Sequence, residues 1–217
     1  GPIESGTVAT VVTARDGDRV RLRGLKRFVR PGPGADGWIV SALCDGRPGL
    51  FWVGASAPGL TREDAHGVDG SVMASLRLED AEGECVCDGD GVTEALACAT
   101  DMARIAQAAE LAGITRRAFE LTRDYLATRQ QFGKPIGSFQ ALQHRMVDGL
   151  IQVELASACL RDVLAQLPDG KQAQLASRAK ARCAHAALEV TRMAIQLHGA
   201  IGTTNEYDVG LYFKRAM

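Results

Sequence analysis

Apolar residues follow two different periods along this chain, one after the other. Between residues 7 and about 87 they form short β-branched runs or strict alternations. Val8 to Ala14 is one such run, closed by the turn signal Asp16-Gly17-Asp18. Arg19-Val-Arg-Leu-Arg23 then alternates, which buries one face of a strand and solvates the other. Trp38 to Leu43, Leu50 to Val53 and Val72 to Leu78 read as three more short strands between Gly- and Pro-rich turns. Strands at this spacing predict a small barrel or sandwich.

At Asp88-Gly-Asp-Gly91 the period changes to threes and fours. Ile114, Ala118, Leu121 and Tyr125 share one helical face, and Leu142, Met146, Leu150, Val153, Leu160 and Leu164 form a second stripe. Ala176, Ala179, Cys183, Ala186, Val190, Met193 and Leu197 repeat as a bundle seam. This seam of small residues predicts a dimer or tetramer joined through the bundle. Pro168-Asp-Gly170 predicts a tight helix-to-helix turn, and Thr204 or Asn205 a cap for a last helix. The expected fold class is α+β: a β-barrel or sandwich domain over 1–90, then an up-down four-helix bundle over 91–217.

Composition narrows the function classes. A net charge of −1 gives no electrostatic case for nucleic acid or an anionic membrane. No apolar run reaches membrane-spanning length, so no membrane insertion is expected. Six cysteines without a paired Cys-x-x-Cys framework read as reduced thiols, which predicts a cytoplasmic protein. Cys85 and Cys87 would share one side of a strand as ordinary thiols. Glu63 and His66 have a Glu-x-x-His spacing without a second copy and read as surface, so no metal is expected. Arg19, Arg21 and Arg23 read as a wet strand face.

Two segments carry chemistry. Arg129-Gln-Gln-Phe-Gly-Lys-Pro-Ile-Gly-Ser-Phe-Gln140 is a loop between long helices, broken by Gly133, Pro135 and Gly137. Arg129, Gln130, Gln131 and Gln140 bring donors of fixed geometry to that break. Gln196-Leu-His-Gly-Ala-Ile-Gly202 ends a helix on glycines, where bare backbone can approach a ligand. An arginine fork, amides and free N–H groups suit a flat, polar, phosphate-bearing cofactor.

This ordered pair of motifs resembles those of the acyl-CoA dehydrogenases, a family of flavoproteins. The resemblance implies FAD as cofactor and covers the family's middle β domain and C-terminal four-helix bundle. It implies that the N-terminal helical domain is not included, and that the bundle is cut short at its end. Arg129 and Gln131 match positions that hold the FAD pyrophosphate and adenosine, with Phe132, Phe139 and Gln140 in the same motif. Gln196, His198, Gly199 and Ala200 match the segment that reaches the flavin of a neighbouring subunit. Ala200 stands where the family has a second glycine, which requires a negative φ there. Phe28, Val29 and Arg30 take the positions of a Trp-Ile-Thr segment beside the isoalloxazine ring, and Arg30 departs from its threonine. Asp101, Ala103 and Arg104 lie where the family lines the acyl and pantetheine channel.

The activity the resemblance implies is α,β-dehydrogenation of an acyl-CoA thioester, with electrons passing to an electron-transfer flavoprotein. The catalytic residue stays unknown, and this chain alone is expected to be inactive. One family position for the glutamate base corresponds to Ala103, and the other falls beyond Met217. The alternative reading is a structural or regulatory subunit, without a base, of a heteromeric acyl-CoA dehydrogenase. Either way the resemblance implies a homo- or hetero-oligomer.

Overall fold

The computed structural model describes residues 9–167 and 172–217, so Val8 and the Pro168–Gly170 turn lie outside the described residues. The chain divides into two compact units, with the break between Ala99 and Thr100.

The first unit is a six-stranded sheet: β1 (Val11–Asp16), β2 (Arg19–Val29), β3 (Gly37–Cys44), β4 (Arg47–Gly54), β5 (Leu60–His66) and β6 (Val72–Asp88). The strand order is β2-β1-β3-β4-β6-β5, and β6 pairs back onto β2, so the ladder returns on itself. The alternation in β2 is real. Val20 and Leu22 are buried with Val40, Phe51, Val53, Leu76 and Leu78, while Arg19, Arg21 and Arg23 face water. Arg21 pairs with Glu82 at 3.0 Å and Arg23 with Asp80 at 2.6 Å. The Arg23 hydrogen bond, with one from the Thr13 hydroxyl, holds the Asp80 carboxyl below the usual carboxylate range.

Two features of this unit differ from the sequence reading. Leu60–His66 is a strand that the apolar pattern does not predict. It pairs only with β6 and is mostly exposed, so its polar sequence carries no alternation. Strand β6 runs ten residues past Leu78, because successive parts of it pair with β5, β2 and β4.

The second unit contains α1 (Val92–Thr128, which begins in the first unit), α2 (Gln140–Gln166), α3 (Gln172–His198) and the short α4 (Val209–Ala216). The α3 seam is almost wholly buried. Ala176 is fully buried, and Ala179, Cys183, Ala186, Val190 and Ala194 pack among Ala108, Ala118, Val153, Ala156 and Val163 of this same unit. Its small residues therefore serve packing inside this unit. On α2 the buried face is Gly149, Val153, Ala156 and Val163. Leu150 and Leu164, read as core, are 44% and 48% exposed. The smaller residues face inward because α3 approaches closely: a Cβ on Gly149 would lie 2.5 Å from Met193 Cε. The last helix begins after Asp208, not after Thr204 or Asn205. Thr204 is occupied in the preceding turn, where its hydroxyl donates to the Ile201 carbonyl and accepts from the Glu206 N–H. Arg215 on α4 pairs with Glu110 on α1 at 2.6 Å. Among the described residues no helix is long and apolar enough to cross a membrane.

Candidate cofactor site

The end of α1 leads straight into the first motif. Ile136 N–H donates to the Arg129 carbonyl, and between them β7 (Gln130–Gln131) and β8 (Lys134–Pro135) form a two-stranded hairpin. Its turn residues are Phe132 and Gly133, with φ of 55° and 76°. Both are left-handed, as a two-residue hairpin turn requires. A phenylalanine there costs about 1 kcal/mol or more, and this one is 91% exposed. Its ring meets Phe139 edge-on at 6.0 Å, and Lys134 Nζ lies 4.3 Å from the Phe139 centroid. Gly137 lets the loop press on α1, since a Cβ there would sit 2.9 Å from the Leu126 carbonyl oxygen. The Gln131 amide donates to the Gln130 carbonyl at 2.8 Å, and Gln140 opens α2 in an exposed position.

The second motif closes α3. Gln196 is exposed, while His198 is 4% exposed. Gly199 turns the chain with φ of 68°, and Ala200 follows outside the left-handed region, as its methyl group requires. The His198 imidazole is held by Nδ1, which donates to the Ala194 carbonyl at 2.8 Å, while its buried Nε2 has no partner. Burial pushes its pKa below the ordinary histidine value, so the ring is neutral and Nδ1 carries the proton.

The two motifs meet. Arg129, His198 and Ala200 line one cleft of about 520 Å³ with Tyr125, Thr128, Ile201 and Tyr207. Among the described residues the Arg129 guanidinium has no carboxylate partner, so its charge is available to an anion. Tyr125, counted in the sequence only as a core position, stacks on His198 at 4.3 Å. Its hydroxyl donates to the His198 carbonyl at 3.4 Å. Tyr207 went unread. The available signal was Tyr125 at one helical turn before Arg129, on the same face.

Within the second unit, Asp101, Ala103 and Arg104 stand apart from this cleft. Asp101 is 6% exposed and accepts from Arg104 at 2.8 Å, while Ala103 faces water. Ile105 to Thr128 of α1, 24 residues or roughly 36 Å of helix, separate Arg104 from Arg129. In the first unit, Phe28 is 77% exposed with φ of 59°, and Val29 is half-buried. Arg30 Nη2 reaches Ser71 Oγ at 3.2 Å and Met73 Sδ at 3.4 Å, so its side chain is fastened by neutral groups. Glu63 and His66 lie three apart on β5 and so point to opposite faces. Cys85 and Cys87 are free thiols, and burial pushes the Cys85 thiol up.

Comparison with known proteins gives a consistent picture. The profile of the acyl-CoA dehydrogenase C-terminal domain matches residues 89–217. The acyl-CoA dehydrogenase IpdE2 of Mycobacterium tuberculosis is 40% identical over 141 residues, covering 64% of this chain and 41% of its own length. The solved Tcur3481–Tcur3483 steroid ACAD, in a variant form, is 35% identical with a TM-score of 0.82, covering 93% of this chain and 55% of that one. The ChsE4–ChsE5 complex of Mycobacterium tuberculosis is 28% identical with a TM-score of 0.85, covering 98% and 58%. The chain thus spans about half the length of the relatives it matches.

Proposed function

We propose that this chain, which belongs to the acyl-CoA dehydrogenase family, holds FAD and serves the α,β-dehydrogenation of an acyl-CoA thioester. The observation that carries the reading is the meeting of Arg129 with the Gly199–Ile201 turn across one cleft. The donor set fits the cofactor: a guanidinium without a carboxylate partner among the described residues, and a glycine turn that exposes backbone N–H groups. In this reading Arg129 takes the pyrophosphate, with Gln131, Gln140 and Gln196 as further polar contacts. Phe132 and Phe139 offer aromatic faces, and Gly199 and Ala200 offer backbone. Within the β unit, the resemblance to the family gives Phe28, Val29 and Arg30 the place of its isoalloxazine-contacting segment. Bound flavin would supply the hydride acceptor, and the protein supplies binding, orientation and exclusion of water. Asp101 and Arg104, already paired, would line the channel for the CoA thioester beside Ala103. Electrons would leave through an electron-transfer flavoprotein, and the working assembly would be a dimer or tetramer.

A second reading is favoured by Ala103. The first helix has alanine at one family position for the base, and Asp101, two residues away, is buried and tied to Arg104. On this reading the chain is a base-less subunit of a heteromeric enzyme, an arrangement in keeping with the two-component ChsE4–ChsE5 relative. Flavin absorbance and FAD titration of the purified chain test the shared premise, and absence of both would overturn it. Dehydrogenation assayed with a ferrocenium acceptor, for butyryl-, octanoyl- and steroid-derived CoA thioesters, separates the two. Turnover by this chain alone supports the first reading. Turnover only with an unlike partner supports the second.

A further inference from the structure

The cleft between the two motifs is held by an aromatic cluster that neither motif contains in full. Tyr125 lies one turn before Arg129, whose N–H donates to the Tyr125 carbonyl at 2.8 Å. Its ring stacks on His198 with 20° between the planes, and Tyr207 closes the set at 5.4 Å from Tyr125 and 5.2 Å from His198. Gly202 presses on the same histidine from behind, since a Cβ there would meet His198 Cβ at 2.9 Å.

We propose that Tyr125, His198 and Tyr207 form a positioning clamp that fixes the Gly199–Ile201 turn against the end of α1, so that Arg129 and that turn engage one diphosphate-bearing ligand together. The proposal rests on the FAD reading above. Two chain segments 73 residues apart are joined here by stacking, an edge contact and one hydroxyl-to-carbonyl bond. The Arg129 side chain is flexible and exposed, so its usefulness depends on what stands opposite it. Without the stack and the hydroxyl-to-carbonyl bond, the ligand would have to order the glycine turn and the α1 end at its own expense.

The clamp carries a built-in acid limit. An imidazolium at His198 would add an N–H and a charge where Nε2 now has no partner. The cleft around the ring is lined by Tyr125 and Thr128 at the end of α1, Arg129 just beyond it, Ala200, Ile201 and Tyr207, and no carboxylate is among these lining residues.

The experiment is FAD titration of the full chain by flavin fluorescence from pH 8 to pH 5, with ADP as a second probe. The expected Kd is flat at the alkaline end, then rises about tenfold per pH unit below the His198 pKa. Tyr125→Ala should raise Kd by about tenfold, the equivalent of one lost aromatic pair, and Tyr125→Phe should recover most of that loss. Tyr207→Leu is an independent lesion in the same direction, and thermal melts of each variant separate a lost clamp from a lost fold. His198→Phe stacks without titrating, so its Kd should not rise toward pH 5. The Gly199 amide resonance should move with the same midpoint as Kd in the unaltered chain. Parent-like affinity in both Tyr125→Ala and Tyr207→Leu, or an unchanged acid rise in His198→Phe, overturns the clamp while leaving the FAD reading in place. No binding of either probe by the unaltered chain overturns both.

Discussion

Replacing Gly137 by alanine would set a methyl carbon 2.9 Å from the Leu126 carbonyl oxygen and 3.2 Å from its carbonyl carbon. Both atoms belong to helical backbone and cannot turn aside. Either the Ile136–Ser138 turn or the end of α1 must move, at about 1–3 kcal/mol for inserting one methyl into filled space. Gly149 looks worse on distance alone, at 2.5 Å from Met193 Cε and 3.0 Å from Met193 Sδ. Those atoms, however, are the tip of an unbranched thioether that can rotate away. Alanine in the middle of a helix also gains about 1 kcal/mol over glycine. Gly149→Ala should therefore be near neutral and Gly137→Ala clearly destabilising. Urea unfolding followed by helical circular dichroism gives both midpoints, with an expected gap of about 1–3 kcal/mol. The Gly137 variant should also lose FAD affinity, since the displaced segment carries the Arg129 hairpin. A Gly137→Ala chain as stable as the parent, or a Gly149→Ala chain less stable than the Gly137 variant, would refute the reasoning.

Arg129→Ala should weaken FAD retention by about 1.5–3 kcal/mol, the range for a hydrogen bond to a charged group; unchanged flavin content after gel filtration would show that Arg129 does not touch the ligand. The depressed pKa of buried His198 makes the unfolded chain bind the extra proton first. Its contribution to stability is present in full above the unfolded value of about 6.5 and is lost as pH falls from there to the lower folded value, at no more than about 1.4 kcal/mol per pH unit. Urea midpoints at pH 7.5, 6 and 5 for the parent and His198→Phe check this, and equal acid slopes would contradict it. Cys183, fully buried with its thiol pushed up to about 11, should resist a thiol reagent at pH 8 while exposed Cys87 and Cys98 react; labelling of Cys183 in the native chain, located by peptide mass mapping, would count against that packing.

Much of the fold was legible because its signals are periodic and local. The Arg19–Arg23 alternation and the α3 seam each name a buried face without help from tertiary context, and both faces are buried. What failed was the choice between equally periodic faces. On α2, leucines outrank Gly149 and Ala156 as hydrophobes, but close helix approach rewards small residues, so Leu150 and Leu164 were pushed outward. Strand β5 was missed because a polar edge strand is held by backbone pairing to β6, which leaves no mark on side-chain pattern. The two motifs announced themselves through Gly, Pro and Arg. Tyr125 did not, since a tyrosine in a helical stripe reads as filler until the residue it stacks on is placed, and Tyr207 sits outside any stripe, in the turn before α4.

Strand β6 makes the β unit hard to take apart in pieces. Its early residues pair with β5 and β2, Glu84 pairs with both β2 and β4, and its last residues pair with β4 alone. A slip of one position would misalign three neighbours at once and turn Leu76, Leu78 and Ala81 away from the interior together. Register is thus decided by a vote of three ladders, and a chain that has settled one has largely settled the others. The same sharing grades the openings. Peeling back the exposed strand β5 frees one edge of β6 while β2 still holds the other, and loosening β4 leaves the other half of β6 anchored. The β6 amides bonded to β2 should accordingly exchange with solvent as one slow group, at the rate set by opening of the whole sheet.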